Sequence, residues 1–228
     1  MRVLHLGLLL LLSPQPALAG CLIALDIGHY RKSPGETSAR GIPELEFNAA
    51  LAHEASRQLH QAAIPSLVIN TEGDMAELAA RPRQAAQKGA SLLLSIHHDS
   101  VQDQYKTTWV WQGLERAHSE VFSGFGLFVS ARNPALSESI LVAEAMADHL
   151  LGQGLRPSLH HALPDAGENR ILLDRNRGLY RFDELAVLRQ ASMPAVLIEA
   201  GIIVNKDDEP LIASEPFRAA PPSTRVAA

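Results

Sequence analysis

Three short apolar runs dominate the sequence. Each is followed within two residues by a side chain that can bind a metal ion or take part in catalysis beside one. The runs and these residues are 22–27 with His29, 92–96 with His97, and 195–198 with Glu199. Apolar runs of this length are typical of buried strands in a mostly parallel sheet. Such sheets bind ligands at the carboxyl ends of their strands. If the three strands are neighbours, two imidazoles and a carboxylate meet at one edge, where they would suit a hydrolytic metal such as zinc.

Between these runs, segments with helical spacing of apolar residues alternate with further short apolar runs. The predicted helices cover 44–60, 75–89 and 137–151, and the further strands cover 66–70 and 126–130. This alternation predicts an α/β fold: a single domain with a mostly parallel, twisted sheet flanked by helices on both faces. The length of 228 residues suits one such domain.

The composition excludes several classes of protein. With 46% hydrophobic and 20% charged residues, the chain has enough apolar surface to bury a core and does not resemble a disordered protein. The net charge of -5 gives no basic stripe or polybasic surface. We therefore expect neither a nucleic-acid partner nor electrostatic binding to a membrane surface.

The first nineteen residues have the pattern of a secretory signal peptide. Arg2 gives a positive start, residues 4–12 are mostly apolar, and residues 17–19 form a small-x-small cleavage signal. The apolar stretch is too short for a transmembrane anchor. We expect a signal peptide over 1–19, a folded domain over 20–213 and a frayed Pro/Ala-rich tail over 214–228. The predicted location is periplasmic or extracellular.

A second interpretation of the N-terminus involves Cys21. Residues 18–21 resemble a bacterial lipobox, in which the cysteine is lipidated and anchors the protein. The first predicted strand follows this cysteine at once and leaves no flexible tether, which favours plain export over a lipoprotein. Cys21 is also the sole cysteine of the chain, so no intrachain disulfide can form.

Four segments resemble, in order, the motifs of the zinc-dependent N-acetylmuramoyl-L-alanine amidases of bacterial cell-wall metabolism. The segments are ALDIGHY at 24–30, ELEFNA at 44–49, SIHHD at 95–99 and PAVLIEAGIIVN at 194–205. The family patterns are roughly I-x-D-P-G-H-G-G, E-K-D-L-N-L, S-I-H-A-N and P-A-V-L-V-E-x-G-F-x-S-N. This chain departs from them at Ile27, Tyr30 and His98, where the family has a proline, a glycine and a small residue. The resemblance covers nearly all of the predicted domain.

The resemblance implies an activity and a role for four residues. His29, Glu44 and His97 match the ligands of one Zn²⁺ ion, and Glu199 matches the catalytic acid. Glu46 is a rival to Glu44, but the spacing to the following Phe-Asn pair favours Glu44. The implied reaction is hydrolysis of the amide between N-acetylmuramic acid and L-alanine. The implied partners are peptidoglycan or its fragments and, as in some relatives, an activator protein.

Two other functions remain open on the sequence. The chain could be a non-catalytic murein-binding or regulatory domain, although the presence of all four site residues argues against this. It could also be a zinc peptidase or amidohydrolase that acts on another bond. A carboxypeptidase would need an arginine clamp for a terminal carboxylate, which Arg177 or Arg181 could supply.

Several further polar and aromatic residues have two interpretations each. Asp26, Ser95 and Asp99 could orient the histidine ligands. His98 could donate a hydrogen bond to a ligand residue, contact the substrate or lie at the surface. A polar segment could be a solvated loop or a substrate-binding rim, and it contains His160, His161, Glu168, Asn169 and Arg170. Trp109 and Trp111 could stack on a sugar or pack in a strand.

Overall fold

The computed structural model describes residues 20–165 and 168–214. The signal peptide predicted over 1–19 and the tail from residue 215 onward lie outside the described residues, so both stay predictions. The strands are β1 (Leu22–Ile27), β2 (Ser66–Ile69), β3 (Ala90–Asp99), β4 (Thr107–Trp111), β5 (Leu114–His118), β6 (Gly126–Val129), β7 (Ile171–Asp174), β8 (Leu179–Arg181) and β9 (Ala195–Ile202). The helices are α1 (Glu44–Gln61), α2 (Ala80–Gln87), α3 (Leu136–Gly152), α4 (Ala186–Arg189) and α5 (Asp208–Ala213).

Seven strands form one sheet in the order β2-β1-β3-β9-β6-β8-β7, and β4 and β5 form a separate hairpin. The first four strands of this order are mutually parallel, while β6 runs antiparallel to β9 and β7 antiparallel to β8. The three apolar runs of the sequence are β1, β3 and β9, which are neighbours in the sheet. Their carboxyl ends therefore meet at one edge, as the sequence predicts.

Helices cover both faces of the sheet, which confirms the predicted α/β architecture. On one face, α1 and α3 contribute Ala52, Ala143 and Ala147 to a core that includes Leu25 and Val196. On the other face, α2 and α4 contribute Ala85, Val187 and Leu188, which pack with alternate residues of the same strands such as Ala24 and Ala195. Strands that are buried on both faces need apolar residues at every position, and this explains the continuous runs.

Helix α2 differs from its prediction. The apolar spacing predicts a helix over 75–89, but the helix spans Ala80–Gln87. Pro82 is the physical reason, because proline has no N–H to donate four residues back and is tolerated only in the first turn of a helix. The helix begins two residues before Pro82, and the segment ahead of it stays irregular. This shorter helix carries Arg81, which matters for the site below.

Candidate metal centre and catalytic site

His29, Glu44 and His97 converge at the carboxyl edge of the sheet. His29 follows β1, His97 lies near the end of β3, and Glu44 is the first residue of α1. The Glu44 carboxylate lies between the two rings, with Oε2 2.8 Å from His29 Nε2 and Oε1 3.1 Å from His97 Nδ1. The potential ligand atoms of the three residues all lie within 4.8 Å of one another. The structure thus brings together the three residues that the sequence proposes as metal ligands.

Glu44 is buried and held by several donors. Asn48, one helical turn later, donates its amide N–H to Glu44 Oε1 at 3.0 Å, and the His98 backbone N–H donates to the same oxygen at 3.2 Å. Burial alone raises the pKa of Glu44, but hydrogen bonds and charge from His29 and His97 outweigh burial and hold the pKa well below its usual value. Glu44 is therefore an ionised carboxylate, whereas the rival Glu46 is exposed to solvent.

His29 has a strained backbone that its neighbours stabilise. Its φ is +65°, in the left-handed region, which is costly for a residue other than glycine. The His29 carbonyl accepts a hydrogen bond from Asn70 Nδ2 at 2.8 Å and another from the Arg81 guanidinium. These two donors fix the loop after β1 and hence the direction of the His29 imidazole.

The buried Arg81 also explains how the carboxylate of Asp26 can be buried inside β1. The sequence offers Asp26 and Ser95 as partners that orient the histidines, but the structure shows otherwise. The Asp26 carboxylate instead accepts hydrogen bonds from Arg81 Nη1 at 3.2 Å and from Ser95 Oγ at 2.8 Å. Sequence reasoning missed Arg81, although a carboxylate inside an apolar strand signals that a buried cation must accompany it.

Two glycines make room for the cluster. A Cβ on Gly28 would lie 2.4 Å from His97 Nε2, and one on Gly35 would lie 2.3 Å from Glu44 Oε2. Gly35 also has a φ of +81°, which favours glycine. The backbone can thus approach the side chains of His97 and Glu44 closely because Gly28 and Gly35 have no Cβ atom.

We expect Gly28→Ala to displace the His97 ring and weaken metal binding. Overpacking of this kind typically costs about 1–3 kcal/mol in stability, because side chains or backbone must shift. Metal content after dialysis and the thermal midpoint would measure both effects. Gly152→Ala is the matched control, since a Cβ there meets nothing within 4 Å and α3 tolerates alanine. Equal metal content in the two variants would contradict the prediction.

Glu199 lies directly opposite His97 in the register of β9 and β3. Its Oε2 atom is buried and has no hydrogen-bond partner among the described residues. Burial, together with the carboxylates of Asp99, Glu44 and Glu168, raises the pKa of Glu199 well above its usual value. A carboxyl group whose pKa is raised in this way holds a proton more readily than a solvated one, which suits general acid–base catalysis.

Two adjoining cavities open onto the cluster, and His29, His97 and Glu199 line both. One, of about 380 Å³, is polar and is also bordered by Asp99 at the end of β3 and by Gly35 and Glu36 in the loop between β1 and α1. The other, of about 320 Å³, is more apolar and bordered by Tyr30, Leu78 and α4. A substrate with polar and apolar parts can therefore span the site.

A profile of the N-acetylmuramoyl-L-alanine amidase family matches residues 23–221, which include all four candidate site residues. The chain belongs to this family. Residues 24–30, 44–49, 95–99 and 194–205, which carry the resemblance in the sequence, all lie inside the matched region.

Two curated relatives agree with this assignment. The probable N-acetylmuramoyl-L-alanine amidase AmiB of Haemophilus influenzae is 26% identical over 218 residues, covering 86% of this chain and 48% of the relative. The amidase AmiC of Neisseria meningitidis serogroup B is 25% identical over 219 residues, covering 86% and 49%. The chain thus spans about half the length of the curated relatives it matches.

Solved structures of amidases share the fold. The N-acetylmuramyl-L-alanine amidase of Mycobacterium smegmatis superposes with a TM-score of 0.67 at 20% identity, covering 88% of this chain and 90% of that one. The catalytic domain of CwlV from Bacillus (Paenibacillus) polymyxa gives 0.64 at 23% identity, covering 87% and 90%. At these identities the likeness concerns the fold alone.

The structure shows what surrounds the three residues at which this chain departs from the family motifs. Ile27, in place of proline, is buried among the core residues shared with α1 and α3. Tyr30, in place of glycine, borders the apolar cavity. His98 is buried, so the suggestion that it is a surface residue is wrong. Its Nδ1 lies 2.8 Å from Asn48 Oδ1, and its backbone N–H supports Glu44.

The structure also bears on two other groups that have alternative interpretations in the sequence. His160 and His161 are buried, so the interpretation of their segment as a solvated loop does not hold for these two residues. Arg177 pairs with Asp148 and Asp174, and Arg181 pairs with Asp183. Neither arginine is among the described residues that border the two cavities.

The tryptophans of the β4–β5 hairpin stack on each other, and an arginine covers them. The ring centroids of Trp109 and Trp111 are 5.3 Å apart, and the Arg40 guanidinium lies over both rings. Trp109 Nε1 donates to the Ala39 carbonyl at 2.9 Å. These contacts favour packing between the hairpin and the loop before α1 over sugar binding.

Proposed function

We propose that the chain hydrolyses the amide bond between N-acetylmuramic acid and L-alanine in peptidoglycan. In this proposal His29, Glu44 and His97 hold one Zn²⁺ ion and Glu199 is the catalytic acid and base. The observation that carries it is the convergence, at one sheet edge, of two imidazoles, an ionised carboxylate and a carboxyl group whose buried Oε2 atom has no partner among the described residues. Membership of the amidase family supports the choice of bond.

The three ligand residues fit zinc. Two imidazole nitrogens and one carboxylate oxygen are a donor set found in zinc hydrolases, which keep a fourth position open for water or substrate. Asn48 and the His98 N–H hold Glu44 from the side, as expected for groups that orient a ligand. When bound there, zinc would polarise the scissile carbonyl and lower the pKa of a water molecule to about 7.

Glu199 handles the protons in this mechanism. Its carboxylate accepts a proton from the water as the water oxygen bonds to the carbonyl carbon. It then donates that proton to the nitrogen as the carbon–nitrogen bond breaks, which gives a free amine and a carboxylic acid. Its position opposite His97 places it beside the ligand cluster, and its raised pKa suits the second step.

The structure gives less support to the two alternatives. A non-catalytic murein-binding domain would have no need for an unpartnered carboxyl group beside a complete set of ligands. A zinc carboxypeptidase would need a free arginine, whereas Arg177 and Arg181 are held by acidic neighbours away from the cavities. An amidohydrolase of other specificity would share the chemistry and differ in its products.

Product analysis tests the proposed bond. We expect purified protein with zinc to release from sacculi free stem peptides that begin with L-alanine, which mass spectrometry would detect. Glycan strands without peptides should accumulate in parallel. Peptides that still carry N-acetylmuramic acid, or peptides cleaved within the stem, would contradict the proposal.

The proposed setting is outside the cytoplasm, with peptidoglycan or its fragments as substrate and an activator protein as a further partner. Export follows from the predicted signal peptide, and lipidation at Cys21 is the alternative. Across the described ranges, every helix is too short or too polar to cross a bilayer. Mass spectrometry of the mature N-terminus would distinguish cleavage after Ala19 from a lipidated Cys21.

We expect the two ligand variants His29→Ala and His97→Ala to lose zinc and activity together. Each removes one of three protein ligands from the open site, and loss of a ligand sharply lowers zinc affinity. Zinc content by atomic emission and release of muropeptides would be measured on the same preparations. Removal of the metal with a chelator followed by addition of zinc should restore the activity of the unmodified protein but should give no activity in either variant. Full zinc occupancy in either variant would contradict the ligand assignment.

A further inference from the structure

A second group of metal-binding side chains lies close to the first. We propose that Asp99, His160 and His161 form a second binding site for a divalent cation of the zinc class, separate from the site at His29, Glu44 and His97. This inference does not depend on the proposed reaction. It rests on the arrangement of three residues, none of which holds the proposed zinc ion or transfers the proton in the proposed mechanism.

The three side chains bring their potential ligand atoms close together. His161 Nε2 lies 2.7 Å and His160 Nε2 3.2 Å from the same oxygen, Asp99 Oδ2. The potential ligand atoms all lie within 4.8 Å of one another, and the two ring centroids are 3.9 Å apart. Ligands about 2.0–2.1 Å from a tetrahedral zinc ion are about 3.3 Å apart, so little movement is needed to admit an ion.

The outer nitrogens of both rings are held as in known metal sites. His161 Nδ1 lies 2.7 Å from Glu168 Oε2, and His160 Nδ1 lies 2.8 Å from Ser158 Oγ. A histidine ligand usually donates its other N–H to a carboxylate or a hydroxyl group, which fixes the tautomer and the ring direction. With both outer nitrogens engaged in this way, Nε2 is the nitrogen of each ring that lies close to Asp99 Oδ2.

His160 Nε2 lacks a satisfactory partner of its own. The side chain is fully buried, and Nε2 has no well-aligned hydrogen-bond partner among the described residues, although Asp99 Oδ2 lies 3.2 Å away. A buried polar atom without a partner is costly. A cation bound by Nε2 would satisfy this atom, and the ligand atoms of Asp99 and His161 lie close enough to bind the same ion.

A proton is the competitor of the cation. Burial lowers the pKa of His161, but Asp99 and Glu168 on its two sides outweigh burial and raise it to about 9. Cation binding must therefore displace the proton on His161 Nε2, and the displaced proton leaves to solvent. A lone protonated His161 balances Asp99 but leaves His160 Nε2 unsatisfied. A bound cation would instead give the Nε2 atoms of both imidazoles a partner.

The ion would join two distant parts of the chain. Asp99 ends β3, two residues after His97, and borders the polar cavity. His160 and His161 form a short 3-10 turn after α3. The donor set of two imidazoles and a carboxylate suits Zn²⁺ and neighbouring transition metals better than Mg²⁺ or Ca²⁺, which prefer oxygen ligands.

Zinc stoichiometry tests the proposal. We expect the full chain, stripped of metal and titrated with Zn²⁺ in a calorimeter, to bind two equivalents. His160→Ala should bind one and His29→Ala should bind one, each losing a different site. His53→Ala is the matched control, because this exposed histidine on α1 should leave both equivalents. A single equivalent in the unmodified protein that persists in His160→Ala would overturn the proposal.

A second measurement needs no substitution at a buried residue. Cadmium NMR of the unmodified protein should show two resonances, one for each site, even if His160→Ala fails to fold. One resonance, which disappears in His29→Ala, would overturn the second site and leave the first intact. The failure of the second site and that of the proposed zinc centre can thus be told apart.

Discussion

Glu199→Gln is expected to lower the rate of peptidoglycan hydrolysis by about 10²–10⁴-fold, the usual contribution of a general acid–base group. Glutamine has the same shape but cannot take a proton from water or return one to the leaving nitrogen. None of the proposed zinc ligands changes, so zinc content should stay at the level of the unmodified protein. Muropeptide release and metal content would be measured together.

Glu46→Gln is the control for this substitution. Glu46 lies on α1, two residues after Glu44, and is exposed, so loss of its charge should leave both metal content and rate nearly unchanged. The same variant tests Glu46 as the rival ligand, since zinc loss in it would reverse the assignment within the second motif. A Glu199→Gln variant with the turnover of the unmodified protein would refute the role of Glu199.

The placement of the two histidines and of Glu199 could be predicted because it follows from a general property of parallel sheets. Each apolar run of the sequence is long enough to specify a strand, and parallel neighbours end at the same edge. Glu44 could not be found in this way, since a glutamate at a helix start usually complements the helix dipole. Its role came from the resemblance of its motif to the family.

The second cation cluster and the supports of the first site were beyond sequence reasoning. Asp99 and His161 are 62 residues apart, and Arg81 and Asp26 are 55 apart. No local pattern encodes such contacts, because they depend on which strands become neighbours and where the intervening loops return. The start of α2 was also missed, and the position of Arg81 depends on it.

Arg81→Met is expected to destabilise the protein by about 3–5 kcal/mol, the usual cost of removing one partner of a buried ion pair. Both Arg81 and Asp26 are fully buried, so the remaining carboxylate would have no cation to compensate it. The carbonyls of Ile27, His29 and Met75 would also lose a donor. At about 2–4 °C for each kcal/mol, the thermal midpoint should fall by roughly 6–20 °C.

Arg83→Met is the matched control, because Arg83 lies on the same helix and pairs with Glu77 at an exposed position. Exposed pairs contribute little, so this variant should melt close to the unmodified protein. The double variant Asp26→Asn with Arg81→Met should recover part of the loss, since the uncompensated charge is gone. The double variant should nevertheless bind zinc more weakly than the unmodified protein, because Arg81 no longer stabilises the strained backbone of His29. Equal melting of the Arg81 and Arg83 variants would show that the buried pair does not stabilise the loop after β1.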